Sequence, residues 1–256
     1  MTYCVAIALE QGLLFASDSR TNAGVDHVST FCKMTIFEQP GEGAIVLLNS
    51  GNLATTQQVV SRLRKHELIQ ACPLTAMDSI FSVAELVGET LRAVIAHSRG
   101  ETIGQSDVDY SATFLVGGQI RGEAARLFLV YPQGNFIEST ADTPFFQIGE
   151  SKYGKPILDR VIRPDIAMAE AVKCMLVSFD STIKSNLSVG LPIDLALLKQ
   201  DDLRIAQRFR IDLDDQYFRE IRQGWGQGLR KVFNELPAPD WLAVDREPPL
   251  PSDSQR

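Results

Sequence analysis

Thr2 follows Met1, and a small second residue is what methionine aminopeptidase needs to expose the threonine as a new N-terminus. One residue then carries both a hydroxyl and a free α-amine. An α-amine has a reference pKa of ~7.7–8.0, so near neutral pH it can take the hydroxyl proton as the oxygen attacks an acyl carbon. No histidine is required. His27, His66 and His97 occur in no serine-elbow motif, so a Ser-His-Asp triad has no support. Two charged residues lie in apolar surroundings, Asp18 in A-S-D-S-R and Lys33 in F-C-K-M. Buried charges need partners, and an Asp18–Lys33 ion pair would satisfy both. An ammonium beside the Thr2 hydroxyl would stabilise a developing alkoxide and keep the neighbouring amine neutral. The alternative is an ordinary structural salt bridge. A fourth candidate is Gly51 in N-S-G-N, where an apolar strand gives way to a helix and unpaired N–H groups can face an oxyanion. A glycine serving only the turn is the competing explanation.

The elements that would position these groups can be read from periodicity. Residues 3–9 and 13–17 are apolar on both faces of the pleat and flank Glu10-Gln11-Gly12, the pattern of a tight hairpin buried in the middle of a layered fold. A hairpin returns the end of its second strand to the start of the first, which brings Asp18 back towards Thr2. Further strands are predicted at 30–37, 43–49, 111–119, 125–131, 135–139, 145–149, 192–199 and 204–212, mostly joined by short turns and so antiparallel. Helices are predicted at 52–68, at 76–98 with Met77, Ile80, Phe81, Ala84, Val87 and Leu91 on one stripe, and over 153–184 divided near Pro164. A charged helix follows at 215–235. This order is α+β, not a regular alternation of strand and helix. Residues 2–236 are expected to form one domain. Residues 237–256, which hold five of the twelve prolines, should form an extended tail that Trp241 and Leu242 could anchor to its own domain or to a neighbour.

Composition removes several classes. Hydrophobic residues make up 45% and charged residues 22% of the 256, which excludes collagen-like, coiled-coil and wholly disordered chains. A net charge of -7 argues against nucleic acid as a partner. Cys4, Cys32, Cys72 and Cys174 include no C-x-x-C pair, so reduced cytosolic thiols are expected and neither a metal site nor any other cofactor. No apolar run reaches the ~20 residues of a membrane span, and the N-terminus has no signal-peptide pattern. A cytoplasmic protein without a membrane partner is expected.

Taken together, Thr2, the hairpin ending in Asp18-Ser19-Arg20, Lys33 and the Ser50-Gly51 turn resemble the β-type subunits of proteasomes, and among these the bacterial Anbu (ancestral β-subunit) group. The resemblance spans about residues 2–235. It implies an N-terminal-nucleophile hydrolase with a four-layer α-β-β-α sandwich of two antiparallel sheets, assembled as a homo-oligomer into rings or open ring-like turns. By the same resemblance Thr2 is nucleophile and base, Asp18 and Lys33 the flanking pair, and Gly51 the oxyanion donor. Two downstream turns that hold the amine in the family match Ile148-Gly149-Glu150-Ser151 and Ser185-Asn186-Leu187-Ser188. Ser188 fits, Ser151 fits with a one-residue shift, and Ser185 replaces the family's aspartate. Glu150 is either an exposed turn residue or a replacement carboxylate for the amine. Asn49 would line the primary side-chain pocket with Leu53 near its floor, and Thr21, Asn22 and Ala23 would form the edge that pairs with an extended substrate. That pocket is expected to be small and polar.

The function these residues favour is a threonine-type peptidase or amidohydrolase acting on a peptide or protein through a Thr2 acyl ester. Two alternatives remain: a specialised amide hydrolase or acyl transferase with the same nucleophile, and a catalytically idle scaffold subunit. The sequence carries no clear sign of an ATPase-docking element.

Overall fold

Strands β1 (Tyr3–Leu9) and β2 (Gly12–Asp18) form the expected hairpin, with Cys4 opposite Ser17 and Leu9 opposite Gly12. A computed structural model describes residues 2–22, 28–70, 72–100, 108–239 and 241. The other strands are β3 (Arg20–Asn22), β4 (Val28–Thr30), β5 (Met34–Gln39), β6 (Gly43–Gly51), β7 (Ala112–Ile120), β8 (Arg126–Val130), β9 (Phe136–Glu138), β10 (Phe145–Gly149), β11 (Ile193–Lys199) and β12 (Gln207–Ile211). The helices are α1 (Leu53–Gln70), α2 (Ile80–Gly100), α3 (Lys155–Val161), α4 (Met168–Ser185) and α5 (Gln216–Glu235).

Two antiparallel five-stranded sheets carry the fold, in the orders β10-β1-β2-β11-β12 and β5-β6-β7-β8-β9, with β3 and β4 as a separate ribbon. Alternate residues of β1 face opposite ways. Tyr3, Val5 and Ile7 pack with Leu158 of α3 and Met175 and Phe179 of α4, while Cys4 and Ala6 pack with Val46, Leu48 and Leu115 of the second sheet. The second sheet buries Ile45, Leu47 and Phe114 against Val59 of α1 and Val87 and Leu91 of α2. The result is the α-β-β-α sandwich, and it explains why β1 and β2 read as unbroken apolar runs: each has a packed layer on both sides. Burial of each large side chain contributes about 1.5–3 kcal/mol, so the central sheets are the rigid frame for whatever sits at their ends.

Three expectations change. The strand expected over 30–37 is interrupted, since β4 ends at Thr30 and β5 starts at Met34. The Lys33 carbonyl lies outside the ladder and accepts both the backbone and the side-chain N–H of Asn49, each at 3.1 Å. The helix expected from 76 begins at Ile80, where the Ser79 hydroxyl accepts the Ser82 N–H at 3.0 Å, the bond of an N-cap. Met77 therefore precedes the helix, and Phe81 leaves the buried stripe to stack edge-on against Phe128 and Phe136. Trp241 is 79% exposed and so does not tie the tail to its own domain; Leu242 lies outside the described residues.

Candidate active site

The start of β1 is held from three directions. The Tyr3 hydroxyl donates to Ser178 Oγ at 3.1 Å and accepts from Gln147 Nε2 at 2.5 Å, and its ring lies 4.6 Å from that of Phe179. Burial pushes the Tyr3 phenol well above its usual pKa, which keeps it a neutral donor. Beside it, the Thr2 carbonyl accepts the Glu150 N–H at 2.7 Å. Gly149, paired with Tyr3 across β1 and β10, has φ +82°, and a Cβ there would stand 1.9 Å from the Thr2 carbonyl oxygen. Only glycine permits that approach, so the Gly149 position determines where Thr2 sits.

Asp18 and Lys33 form the ion pair that their burial demanded. Lys33 Nζ donates to Asp18 Oδ1 at 2.6 Å, with side-chain exposures of 6% and 0%, and also to the Arg20 carbonyl at 2.6 Å. Asp18 Oδ1 accepts the Tyr3 N–H at 2.9 Å, and Oδ2 accepts the more distant Gly190 N–H at 3.4 Å. Burial pushes the Asp18 carboxyl above its ordinary range, against the opposing pull of the Lys33 ammonium and of these N–H donors. The bond to Tyr3 N ties the pair to the residue next to Thr2, as the hairpin geometry required.

Gly51 ends β6 with φ +105°, and a Cβ there would meet the Ser111 carbonyl at 2.5 Å. Asn52 N–H donates to Ser111 O at 2.9 Å, and because residues two apart on a strand turn their N–H groups to one edge, the Gly51 N–H shares the edge of Asn49 on β6. Asn49 N–H uses that same edge to reach Lys33 O. The Gly51 donor therefore faces the Lys33 side. Helix α1 begins immediately afterwards, with Asn52 Oδ1 accepting the Thr55 N–H at 3.1 Å.

The remaining candidates divide. Ser151 N–H bonds to the Gly149 carbonyl and Ser188 N–H to Asn186 Oδ1, while among the described residues no hydrogen bond links either serine hydroxyl to Thr2. Glu150 is 8% exposed, which removes the exposed-turn reading, and its Oε2 accepts from Asn186 Nδ2 at 2.9 Å. Ser185, at the place of the family's aspartate, is exposed at the end of α4. Thr21 and Asn22 lie in β3, and Ala23 falls outside the described residues. Asn49 and Leu53 do line one cavity, of about 480 Å³. It is neither small nor uniformly polar: Phe31, Met34 and Val60 form apolar wall, and Gln57 and Arg64 add polar groups.

Sequence reasoning missed two supports. Arg20 supplies a carbonyl to Lys33 and donates from its guanidinium to the Leu187 carbonyl at 3.1 Å, thereby joining the 187–190 turn to the site. Asn186 orients Glu150. Arg20 sits in the quoted Asp18-Ser19-Arg20 motif, which was a usable signal; nothing local to Asn186 points to its partner, 36 residues away in the chain.

Comparison with known proteins agrees with this arrangement. The family model described as "Proteasome subunit" matches residues 2–198. The Anbu (ancestral β-subunit) protein of Yersinia bercovieri superposes with a TM-score of 0.86 at 52% identity, covering 93% of this chain and 99% of that one. The Anbu complex of Pseudomonas aeruginosa, described as a helical assembly, gives 0.87 at 48% identity, covering 93% and 98%. "Proteasome subunit beta 2" of Pyrobaculum aerophilum is 25% identical over 210 residues, 82% of this chain and 94% of its own. With a buried Asp18–Lys33 pair beside Thr2 in an α-β-β-α sandwich, and a family match over most of its length, this chain belongs to the proteasome-subunit family, in its Anbu branch.

Proposed function

We propose that the protein is an N-terminal threonine peptidase or amidohydrolase. The observation that carries this reading is the buried Lys33–Asp18 pair bonded to the Tyr3 N–H, because such a pair would set a desolvated cation beside the residue that would become the N-terminus. After loss of Met1, the Thr2 hydroxyl attacks the scissile carbonyl and passes its proton to its own α-amine. The Gly51 N–H, facing the Lys33 side, receives the oxyanion of the tetrahedral intermediate. The Lys33 charge lowers the cost of the developing alkoxide and favours a neutral amine. Collapse expels the leaving amine, which takes the proton, and leaves an ester on Thr2. A water molecule, deprotonated by the same α-amine, then releases the acid.

In this reading Glu150 takes over the amine-holding role, oriented by Asn186, with Ser151 and Ser188 beside it. The cavity containing Asn49 and Leu53 receives the side chain preceding the scissile bond, and Thr21 offers backbone for an extended substrate. An intact mass followed by a peptide epoxyketone tests the proposal. The expected result is a chain lacking Met1 that gains one adduct on Thr2. A chain that retains Met1, or one that takes up no adduct as monomer or assembly, overturns it.

We also infer that copies of the chain associate, as the Pseudomonas aeruginosa relative is described to do. The apolar stripe of α5 supports this: Phe218 is buried, but Leu229, Val232 and Phe233 further along, and Leu236 just past the helix, are 52–74% exposed. Sedimentation should show species well above 28.3 kDa, and a monomer at all concentrations would remove the inference.

A further inference from the structure

We propose that Arg64 makes the cavity lined by Asn49 and Leu53 select a substrate with an acidic side chain before the scissile bond, glutamate in preference to aspartate. The inference rests on the hydrolase reading above and specifies the substrate class of that same site. Among the described residues, Arg64 is the only charged one lining the cavity. It makes no ion pair among the described residues. Arg64 also borders a second cavity, which Glu38 and Glu67 line, but both carboxylates have other partners: Glu67 accepts the Leu74 N–H at 2.9 Å, and Glu38 accepts the Ile205 N–H at 2.8 Å and pairs with Arg208. Asp194, on the far side of Cys32, pairs with Arg210 at 2.8 Å and accepts the Ser19 hydroxyl at 2.6 Å. Among the described residues, an incoming carboxylate therefore meets one guanidinium that is held in no ion pair and no competing anion on this cavity's wall.

The preference for glutamate follows from helix geometry. Leu53 opens α1, and Arg64 lies eleven residues further along the same helix, about 16 Å at 1.5 Å per residue. Side chains on a helix lean back towards its N-terminus, so the long Arg64 side chain reaches towards Leu53 and leaves a gap that a longer acid closes better. Phe31, Met34 and Val60 would cover the methylene groups, and the Gln57 amide borders the path.

The test uses the assembled, processed protein and four peptide epoxyketones that differ only in the last residue, namely Glu, Asp, Leu and Lys. The expected Glu-to-Leu ratio of labelling rates at low salt is about fivefold, the upper range for a solvent-accessible ion pair. It should shrink at 0.5 M salt, with Asp intermediate and Lys slowest. Arg64→Gln should bring the Glu-to-Leu ratio to about one, and Arg64→Glu should invert it in favour of Lys. A ratio near one in the unaltered protein, or one that Arg64→Gln leaves in place, overturns the selectivity while the hydrolase stands. No labelling by any of the four overturns the hydrolase and the selectivity with it.

Discussion

The two sides of Thr2 are built differently. On one side, Asp18 and Lys33 are clamped by four partners: each other, the Tyr3 and Gly190 N–H groups, and the Arg20 carbonyl. On the other, Glu150, Ser151, Asn186 and Ser188 sit on turns, where Glu150 has Asn186 but the two serine hydroxyls have no bond to Thr2 among the described residues. The first side grows from β2, whose register is set by buried neighbours on both faces, and a one-residue slip there would turn Asp18 away from the site. The second side grows from turns, which can exchange one polar residue for another as long as a backbone bond such as Glu150 N–H to Thr2 O survives. The charged pair is thus the strict part of the site, and the turns carrying Glu150 and Ser188 are the permissive part.

The largest test of that contrast is Lys33→Ala. Epoxyketone labelling of Thr2 should fall by at least about 100-fold. Leaving Asp18 buried without its cation costs about 3–5 kcal/mol, a drop in Tm of roughly 6–20 °C for a chain of this size, with far-UV circular dichroism still that of a folded protein. Unchanged labelling would reduce the pair to a structural bridge. Gly149→Ala comes next, because its Cβ would overlap the Thr2 carbonyl. Labelling should slow about tenfold, and stability should fall by about 3 kcal/mol, measured by urea unfolding.

On the permissive side effects should be smaller. A carboxylate near an amine raises the amine's pKa by favouring its charged form. Glu150→Gln keeps the shape but removes that charge, so the acid limb of the labelling rate should shift to lower pH, with at most a tenfold change in the limiting rate. An unmoved limb would mean that Glu150 does not feel the amine. Ser151→Ala and Ser188→Ala should each change labelling by less than about threefold and stability by less than about 0.5 kcal/mol. Cys32, which borders the cavity, offers the mildest probe. Partial desolvation holds its thiol above the usual pKa of 9.0, so iodoacetamide should modify it slowly at pH 8 and faster as pH rises through 9. Modification should slow Thr2 labelling. Buried Cys4, whose thiol is pushed much higher by desolvation, should react only on unfolding.

Much of this is legible in the sequence. Asp18 and Lys33 stood out because charge inside apolar runs has few physical solutions, and the hairpin at Glu10 and Gln11 already implied that Asp18 returns to Thr2. The unbroken apolar stretches of β1 and β2 pointed to layers on both faces. Other features were hidden in one dimension. The break at Phe31–Lys33 arises because Asn49, sixteen residues on, captures the Lys33 carbonyl. The burial of Glu150 depends on Asn186, and the size of the cavity depends on how α1 lies across β5 and β6.

Local chemistry and period, which act over a few residues, determined by themselves the nucleophile candidate, the charged pair, the central hairpin and the α+β order. The tertiary structure alone decided which turn residues meet, that Gly149 must admit the Thr2 carbonyl, and that Arg64 ends in the same cavity as Asn49. Those outcomes follow from how packed layers bring distant segments together, and no residue's own preferences encode that distance.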